Sequence, residues 1–399
     1  MISVNEATSL ILSTQLRLKK EHVNLQEASG RVLAMEVFAD RNFPPFDRVT
    51  MDGIAFAYKA YETGLRTFAI EGTQLAGEEA KSLQNPDAAL EVMTGAVLPG
   101  SCDTVVPYEE IEITNGEATL SGKQVKEGQN VHKEGRDQKK GTKLLDVGTL
   151  IRASEIAVLA TVGAAVPRVF CLPKVAVIAT GDELVAVDEH PEPYQIRSSN
   201  SQALVAALQG WGVEPEVFHI RDDKESLTEQ LGNILKQNDV LLLSGGVSKG
   251  KADYLPEVLE SLHVQKIFHR VAQKPGKPFW FGRIEEKKFV FAFPGNPIST
   301  FMCFHRYFLP WLKACLGIAP TELHAKLSED FDFEPPLTYF LQVKAHLDTE
   351  GVLWAQPRSG GGSGDLANLL YANAFLELPP NRQNFKRGES LPLITYNPL

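Results

Sequence analysis

From residue 174 the chain alternates short apolar runs with helical stretches, and this alternation restricts the fold more than any other feature. Segments 174–179, 214–220 and 240–243 read as strands, and 201–208 and 226–235 read as the helices between them. Strands joined by helices need right-handed crossovers, which lay the strands parallel in one sheet. Ligands of such sheets sit beyond the carboxyl ends of the strands. Three polar clusters fall there: Thr180-Gly181-Asp182-Glu183, Arg221-Asp222-Asp223 and Ser244-Gly245-Gly246. Farther on, 289–293 reads as a strand entering Pro294-Gly295-Asn296-Pro297-Ile298-Ser299 and then an apolar helix, whose first N–H groups could receive a phosphate.

The chain has 399 residues, too many for one ordinary core, and the length suggests roughly two to four domains. Phe43-Pro44-Pro45-Phe46 can be neither helix interior nor central strand and reads as a hinge. Residues 46–136 are rich in glycine and short alternating strands. They contain a hairpin over 111–120 whose Asn115-Gly116 supplies a type I′ turn, and a helix is expected over 76–83. Residues 154–161 read as a helix with Ser154 as its N-cap. Beyond 321 helices are scarce; 338–347, 351–357 and 391–395 read as strands of a small β domain. At the start of the chain, Ser3 and Glu6 have capping-box spacing, so that segment reads as an ordinary amphipathic helix.

The loop Ser244-Gly245-Gly246 can bring backbone close to an anion, and Lys274 and Lys277 in KPGKP can add positive charge nearby. Together with Asp253 the set suits a phosphorylated ligand carrying a divalent cation. A tight strand-to-helix turn with solvated lysines accounts for the loop alone equally well. Asp182, Glu183, Asp222, Asp223 and Asp253 all follow strands, where carboxylates could hold Mg²⁺ or cap helices; Asp222-Asp223 directly before a helix fits capping. Asp52-Gly53 reads by itself as a turn. No GxSxG, HExxH, GxxxxGK[ST] or strand-associated GxGxxG occurs, which disfavours nucleophilic catalysis and a dinucleotide site.

Net charge is −10, from 50 acidic and 40 basic residues, which argues against a nucleic-acid binder. Of the four cysteines none forms a CxxC pair, and Cys171, Cys303 and Cys315 lie in apolar surroundings, with Cys102 the exception. No run reaches the ~18 apolar residues of a membrane span, and a cytoplasmic location is expected.

Nine blocks stand in order along nearly the whole chain: PPFDRVTMDG (44–53), MTGAVLPGSCDTVV (93–106), GQNVHKEGRD (128–137), TGDEL (180–184), RSSNS (197–201), SGGVSKGKADY (244–254), KPGKP (274–278), FPGNPIS (293–299) and SGGGSGDLANLLYANAF (359–375). In these blocks the sequence resembles the molybdopterin molybdenumtransferases, the molybdenum insertases whose animal relative is the E domain of gephyrin. The resemblance implies an α/β, multidomain, elongated chain with a central parallel-sheet α/β domain, an inserted β-rich module and a C-terminal β domain. The implied divisions are 1–43 plus 137–170 for the elongated N-terminal domain, 44–136 for the module, 171–320 for the molybdopterin-binding domain and 321–399 for the β domain. It also implies a homodimer whose active site lies between the α/β domain and the partner's inserted module.

The implied reaction takes adenylylated molybdopterin and molybdate, with Mg²⁺ as cofactor, releases AMP and transfers molybdenum to the dithiolene sulfurs. Asp52, Thr94, Glu183, Asp222 and Asp253 would be catalytic, and Glu183, Asp222 and Asp253 would hold the metal. Ser244, Gly245, Gly246, Ser248, Arg270, Lys274, Lys277, Pro294, Pro297 and Ser299 would bind the substrates. A transient contact with molybdopterin adenylyltransferase is expected, and no nucleic-acid or membrane partner. The chain departs from the family pattern at Arg48-Val49-Thr50, Ile54, His132, Arg136 and Lys251. The alternatives are a molybdopterin adenylyltransferase, which would consume ATP, and a gephyrin-like scaffold.

Overall fold

The structure, a computed structural model, describes residues 1–247, 254–358 and 360–399 of a mixed α/β multidomain chain. The chain divides into two compact units, one of Met1–Ala34, Val147–Arg152 and Pro167–Leu399, the other of Met35–Asp146 and Ala153–Val166.

The second unit is built on a six-stranded sheet in the order Thr104–Pro107, Gly53–Phe56, Ala89–Val92, Thr67–Gln74, Glu117–Leu120, Ile111–Thr114. The expected hairpin closes through Asn115 and Gly116, whose φ angles of 54° and 82° are those a type I′ turn requires. The helix expected over 76–83 is absent; the unit's α-helices are Tyr58–Glu62 and Ala153–Thr161. Among the N–H groups that a helix over 76–83 would spend on its own backbone, that of Lys81 is taken by a side chain. The Leu75 N–H donates to Glu78 Oε2 at 3.2 Å and the Lys81 N–H to Gln74 Oε1 at 2.7 Å. Ser154 is a helix residue rather than the cap, its hydroxyl donating to Glu155 Oε1 at 2.9 Å. Cys102 is not the exception among the cysteines. It packs with Val49, Ala96, Leu98 and Val105, and burial pushes its thiol up to about 12, while Cys171 is the half-exposed one.

In the first unit a six-stranded sheet runs Glu216–Ile220, Val175–Thr180, Val240–Ser244, Lys288–Phe293, Trp280–Ile284, Gln265–His269. The first four strands are parallel, as the alternation predicts. The last two are antiparallel and were not foreseen. Successive residues point to opposite faces, so a doubly covered strand must be apolar throughout. Val175, Val177, Val240 and Leu242 accordingly pack with the helix Ser199–Gln209, and Ala176, Ile178, Leu241 and Leu243 pack with Lys224–Gln237 and Leu255–Ser261. The N-terminal helix Val4–Leu12 begins as its spacing predicts, the Glu6 N–H donating to Ser3 Oγ at 3.1 Å. Val4, Ala7 and Ile11 enter the same core as Phe291 and Trp311.

Five strands of the C-terminal region (Leu323–Leu327, Thr338–Leu347, Leu353–Pro357, Ala374–Leu378 and Ser390–Thr395) pair around a closed ring. Closure leaves this small β domain without free strand edges in the ring. The short strand Gln273–Lys274 joins it parallel to Thr338 and Tyr339, tying KPGKP to this domain.

After Pro297–Cys303 the chain makes a π-helical turn, Phe304–Phe308, then the helix Leu309–Cys315. His305 in that turn lies 4.5 Å from the Phe301 ring and 5.9 Å from Tyr396, centroid to centroid. Both its ring nitrogens are buried without a partner among the described residues. Burial, then the charge of Lys313, lowers its pKa to about 4. The unfolded chain therefore binds a proton that the folded chain refuses, and stability falls as the pH drops from the unfolded value of about 6.5. His305→Phe should flatten the decline between pH 6.5 and pH 4.5, worth about 1.4 kcal/mol per pH unit in the wild type. Urea midpoints at the two pH values check this, and an unchanged slope refutes it.

Candidate active site

The strands Val175–Thr180, Val240–Ser244 and Lys288–Phe293 end side by side, and their following loops line a cleft of about 570 Å³. It gathers Glu183, Asp222, Ser244, Gly245, Gly246, Pro294 and Pro297 of the predicted residues. Gly245 and Gly246 have φ of +107° and +67°. A Cβ on Gly245 would lie 2.7 Å from the Thr180 carbonyl oxygen and 2.8 Å from its hydroxyl, so only glycine lets the loop lie this close to the strand end. Gly245 gives its own N–H to Phe293 O at 3.2 Å, and the Thr180 hydroxyl beside the glycines is buried without a partner among the described residues.

Gly181 plays a matching part for Glu183. A Cβ there would stand 2.6 Å from Glu183 Oε2, so the bare backbone gives the carboxylate room to fold back over the strand end. Asp182 pairs instead with Arg221 at 3.6 Å, on the surface. Asp223 is a helix cap, accepting the Ser226 N–H at 2.8 Å; that bond first, and the Ser226 hydroxyl next, hold its carboxyl below the ordinary range. Asp222 alone of that pair lines the cleft. Ser248 and Asp253 lie outside the described residues.

A second cavity of about 380 Å³ adjoins the first, sharing Pro278, Pro294 and Asn296 with it. It collects Lys274, Lys277 and Ser299 of the predicted residues, and adds Arg358, Gln342, Tyr339 and Ser363. The Lys274 ammonium stands 5.6 Å from the Phe333 ring and 5.9 Å from Tyr339, on the aromatic faces of the β domain. Arg358 Nη2 donates to Gln356 Oε1 at 2.8 Å, while its buried Nε and the buried Gln342 Oε1 have no partner among the described residues. Arg270 is not brought in. It lines neither cavity, and its N–H donates to Phe279 O while its carbonyl accepts from the Ile2 N–H.

Asp52 and Thr94 form a pair within the other unit. The Thr94 N–H donates to Asp52 Oδ1 at 2.6 Å and the Thr94 hydroxyl at 2.8 Å, and these bonds, the N–H first, hold the exposed carboxyl below its ordinary range. Two departures from the family pattern face each other there. Arg48 and His132 are register partners, with Arg48 Nη2 3.5 Å from His132 Nδ1 and His132 Nε2 2.8 Å from Asp137 Oδ1.

The residues missed in the sequence are Asn200, Thr300, Arg358 and Ser363. Asn200 Nδ2 donates to Ser244 Oγ and to Gly295 O, both at 2.8 Å. Asn296 Nδ2 donates to Ser363 Oγ at 2.9 Å. The SGGGSGD block was in view, but nothing local indicated that it would close a cavity opened by KPGKP.

Comparison with known proteins agrees along the chain. The MoeA N-terminal region (domain I and II) matches residues 2–163, the probable molybdopterin binding domain matches 176–314, and the MoeA C-terminal region (domain IV) matches 324–396. A molybdopterin molybdenumtransferase from Synechocystis is 39% identical over 99% of this chain and 100% of its own length. One from Staphylococcus epidermidis is 32% identical over 98% of this chain and 95% of its own. A solved molybdopterin biosynthesis MoeA protein from Pyrococcus horikoshii superposes with a TM-score of 0.85 at 31% identity, covering 100% of both chains. With full-length relatives on both counts, the chain belongs to the molybdopterin molybdenumtransferase family.

Proposed function

We propose that the chain inserts molybdenum into molybdopterin, taking adenylylated molybdopterin and molybdate as substrates and releasing AMP. The observation that carries this reading is the pair of adjoining cavities, a glycine-floored cleft with two carboxylates beside a smaller one lined by two lysines and an arginine. Two anions of different size would be held next to each other, as the transfer of an oxyanion's metal to a phosphorylated pterin requires. The Ser244 hydroxyl and the loop Gly245–Gly246 hold the phosphate end. Lys274, Lys277 and Arg358, with Ser299 and Ser363, attract and orient molybdate. Pro294 and Pro297 shape the cleft, and Pro294 also lines the second cavity.

Glu183 and Asp222 are hard oxygen donors on one cleft, the type Mg²⁺ takes while keeping several waters. No cluster of three or more metal-binding side chains occurs among the described residues, so these two, with Asp253 and phosphate oxygens, would complete the set. Mg²⁺ bound there would neutralise charge on the pyrophosphate link. Asp52, ionised and oriented by Thr94, would enter from the partner of a homodimer; its exposed carboxylate supports that reading. The free cysteines support a cytoplasmic setting, and no helix among the described residues is long and apolar enough to cross a membrane. A transient contact with molybdopterin adenylyltransferase would deliver the adenylylated substrate.

The test is AMP release from adenylylated molybdopterin with Mg²⁺, without ATP, in the presence and absence of molybdate. Molybdate-dependent release is expected. Consumption of ATP would assign an adenylyltransferase instead, and tight binding without release would assign a scaffold.

A further inference from the structure

Asn200 occupies the first turn of the helix Ser199–Gln209, in a block whose sequence gave it no role. Its side-chain amide reaches three elements at once: Ser244 Oγ at 2.8 Å, Gly295 O at 2.8 Å and, more weakly, Thr300 Oγ1 at 3.4 Å. The Gly295 carbonyl only accepts, so the NH₂ face of the amide must point this way. The NH₂ only donates, so Ser244 Oγ must be an acceptor in this bond.

The neighbouring hydroxyl closes the remaining choice. Thr300 Oγ1 donates to Pro294 O at 2.5 Å, and its one hydrogen is thereby committed. Ser244 is then left with its own hydrogen, for which the one bonded acceptor among the described residues is Thr300 Oγ1 at a weak 3.4 Å. Ser244 is only 3% exposed, yet it lines the cleft. Its hydroxyl hydrogen is therefore available to a ligand oxygen, and accepting from Asn200 strengthens it as a donor. The same amide ties the glycine loop to the proline loop where the two touch, since a Cβ on Gly295 would lie 3.6 Å from Gly245 Cα.

We propose that Asn200 is a positioning residue for the phosphate end of the substrate, clamping the Ser244 and Gly295 loops and fixing the Ser244 hydroxyl as a donor to a phosphate oxygen. This rests on the functional reading above and goes beyond it by assigning a residue that does not itself touch the substrate. Its ligand class is a pyrophosphate ester.

The test is a double-mutant cycle of Asn200→Ala and Ser244→Ala, with the isosteric Asn200→Asp as a second route should Asn200→Ala unfold. Two readouts are taken, KM and kcat with adenylylated molybdopterin, and the calorimetric Kd for inorganic pyrophosphate, which needs no turnover. Losing one charge-assisted hydrogen bond should raise KM and Kd about tenfold in Asn200→Ala, with kcat changed less. The double variant should then fall short of the product of the single effects by at least about threefold, as coupled neighbours do. A purely structural role would lower thermal stability without that coupling. Wild-type Kd in both Asn200 variants, or effects that multiply, would overturn the proposal. Coupled loss of pyrophosphate affinity in a protein that releases no AMP would keep the positioning role and sink the insertase reading.

Discussion

Glu183→Gln should slow molybdate-dependent AMP release by about 10²- to 10³-fold, the usual cost of removing one group that stabilises charge in the transition state. The amide has the same shape, so the space left by the missing Gly181 side chain still admits it. What disappears is the negative charge at the end of the strand Val175–Thr180, in the cleft that also holds Asp222. Pyrophosphate affinity should stay within about threefold, because the glycine floor and the Ser244 hydroxyl are untouched and an anion gains slightly from losing a like charge. Single-turnover kinetics separate the two quantities. A wild-type rate would remove Glu183 from the chemistry, and a rate loss matched by an equal loss of affinity would make it a binding group only. Asp222→Asn is the paired experiment, and Asp223→Asn the control, since Asp223 is occupied as a helix cap.

Much of this site was legible because its residues sit where period and position coincide. The strands ending at Thr180 and Ser244 are wholly buried apolar runs, and their polar successors could only lie at a sheet end. The Asn115-Gly116 turn was legible because few other residues take positive φ at two successive positions. Long-range partnership was not legible. Asn200 meets Ser244 across 44 residues and Gly295 across 95, and no local pattern marks an amide for such a task. Arg358 reaches the lysine cavity because Leu353–Pro357 pairs with Thr338–Leu347, and Thr338–Leu347 with Gln273–Lys274, a register that only tertiary structure sets. The strands Gln265–His269 and Trp280–Ile284 were not legible because they pair antiparallel with no helix between them, outside the alternation that marks the parallel strands. The helix expected over 76–83 failed for another reason. Gln74 bonds the Lys81 N–H, which a helix would spend on Gly77 O.

Gly53→Ala should produce the largest stability loss of any single methyl addition to the second unit. Gly53 opens a central strand, in register with Pro107 on one side and Val92 on the other. A Cβ there would sit 2.0 Å from the Val106 carbonyl oxygen and 2.7 Å from Pro107 Cα, and both are backbone atoms of the neighbouring strand. No rotamer relieves that overlap, so the strands must part, at a cost of about 3 kcal/mol or more. Gly116→Ala is the instructive contrast. Its φ is +82° and a Cβ would meet nothing within 4 Å, so it should cost only the left-handed penalty of about 1 kcal/mol. The damage from Gly53→Ala would also reach Asp52, whose carbonyl accepts the Tyr108 N–H at 3.1 Å and whose carboxylate is held by Thr94. The chain supplies its own reporter: all four tryptophans, Trp211, Trp280, Trp311 and Trp354, belong to the other unit. Urea unfolding of Gly53→Ala should therefore show an early loss of far-ultraviolet signal while tryptophan emission holds its wild-type midpoint. Coincident transitions at the wild-type midpoint would show that the sheet absorbs the methyl group. An early shift in tryptophan emission would show that the two units unfold as one.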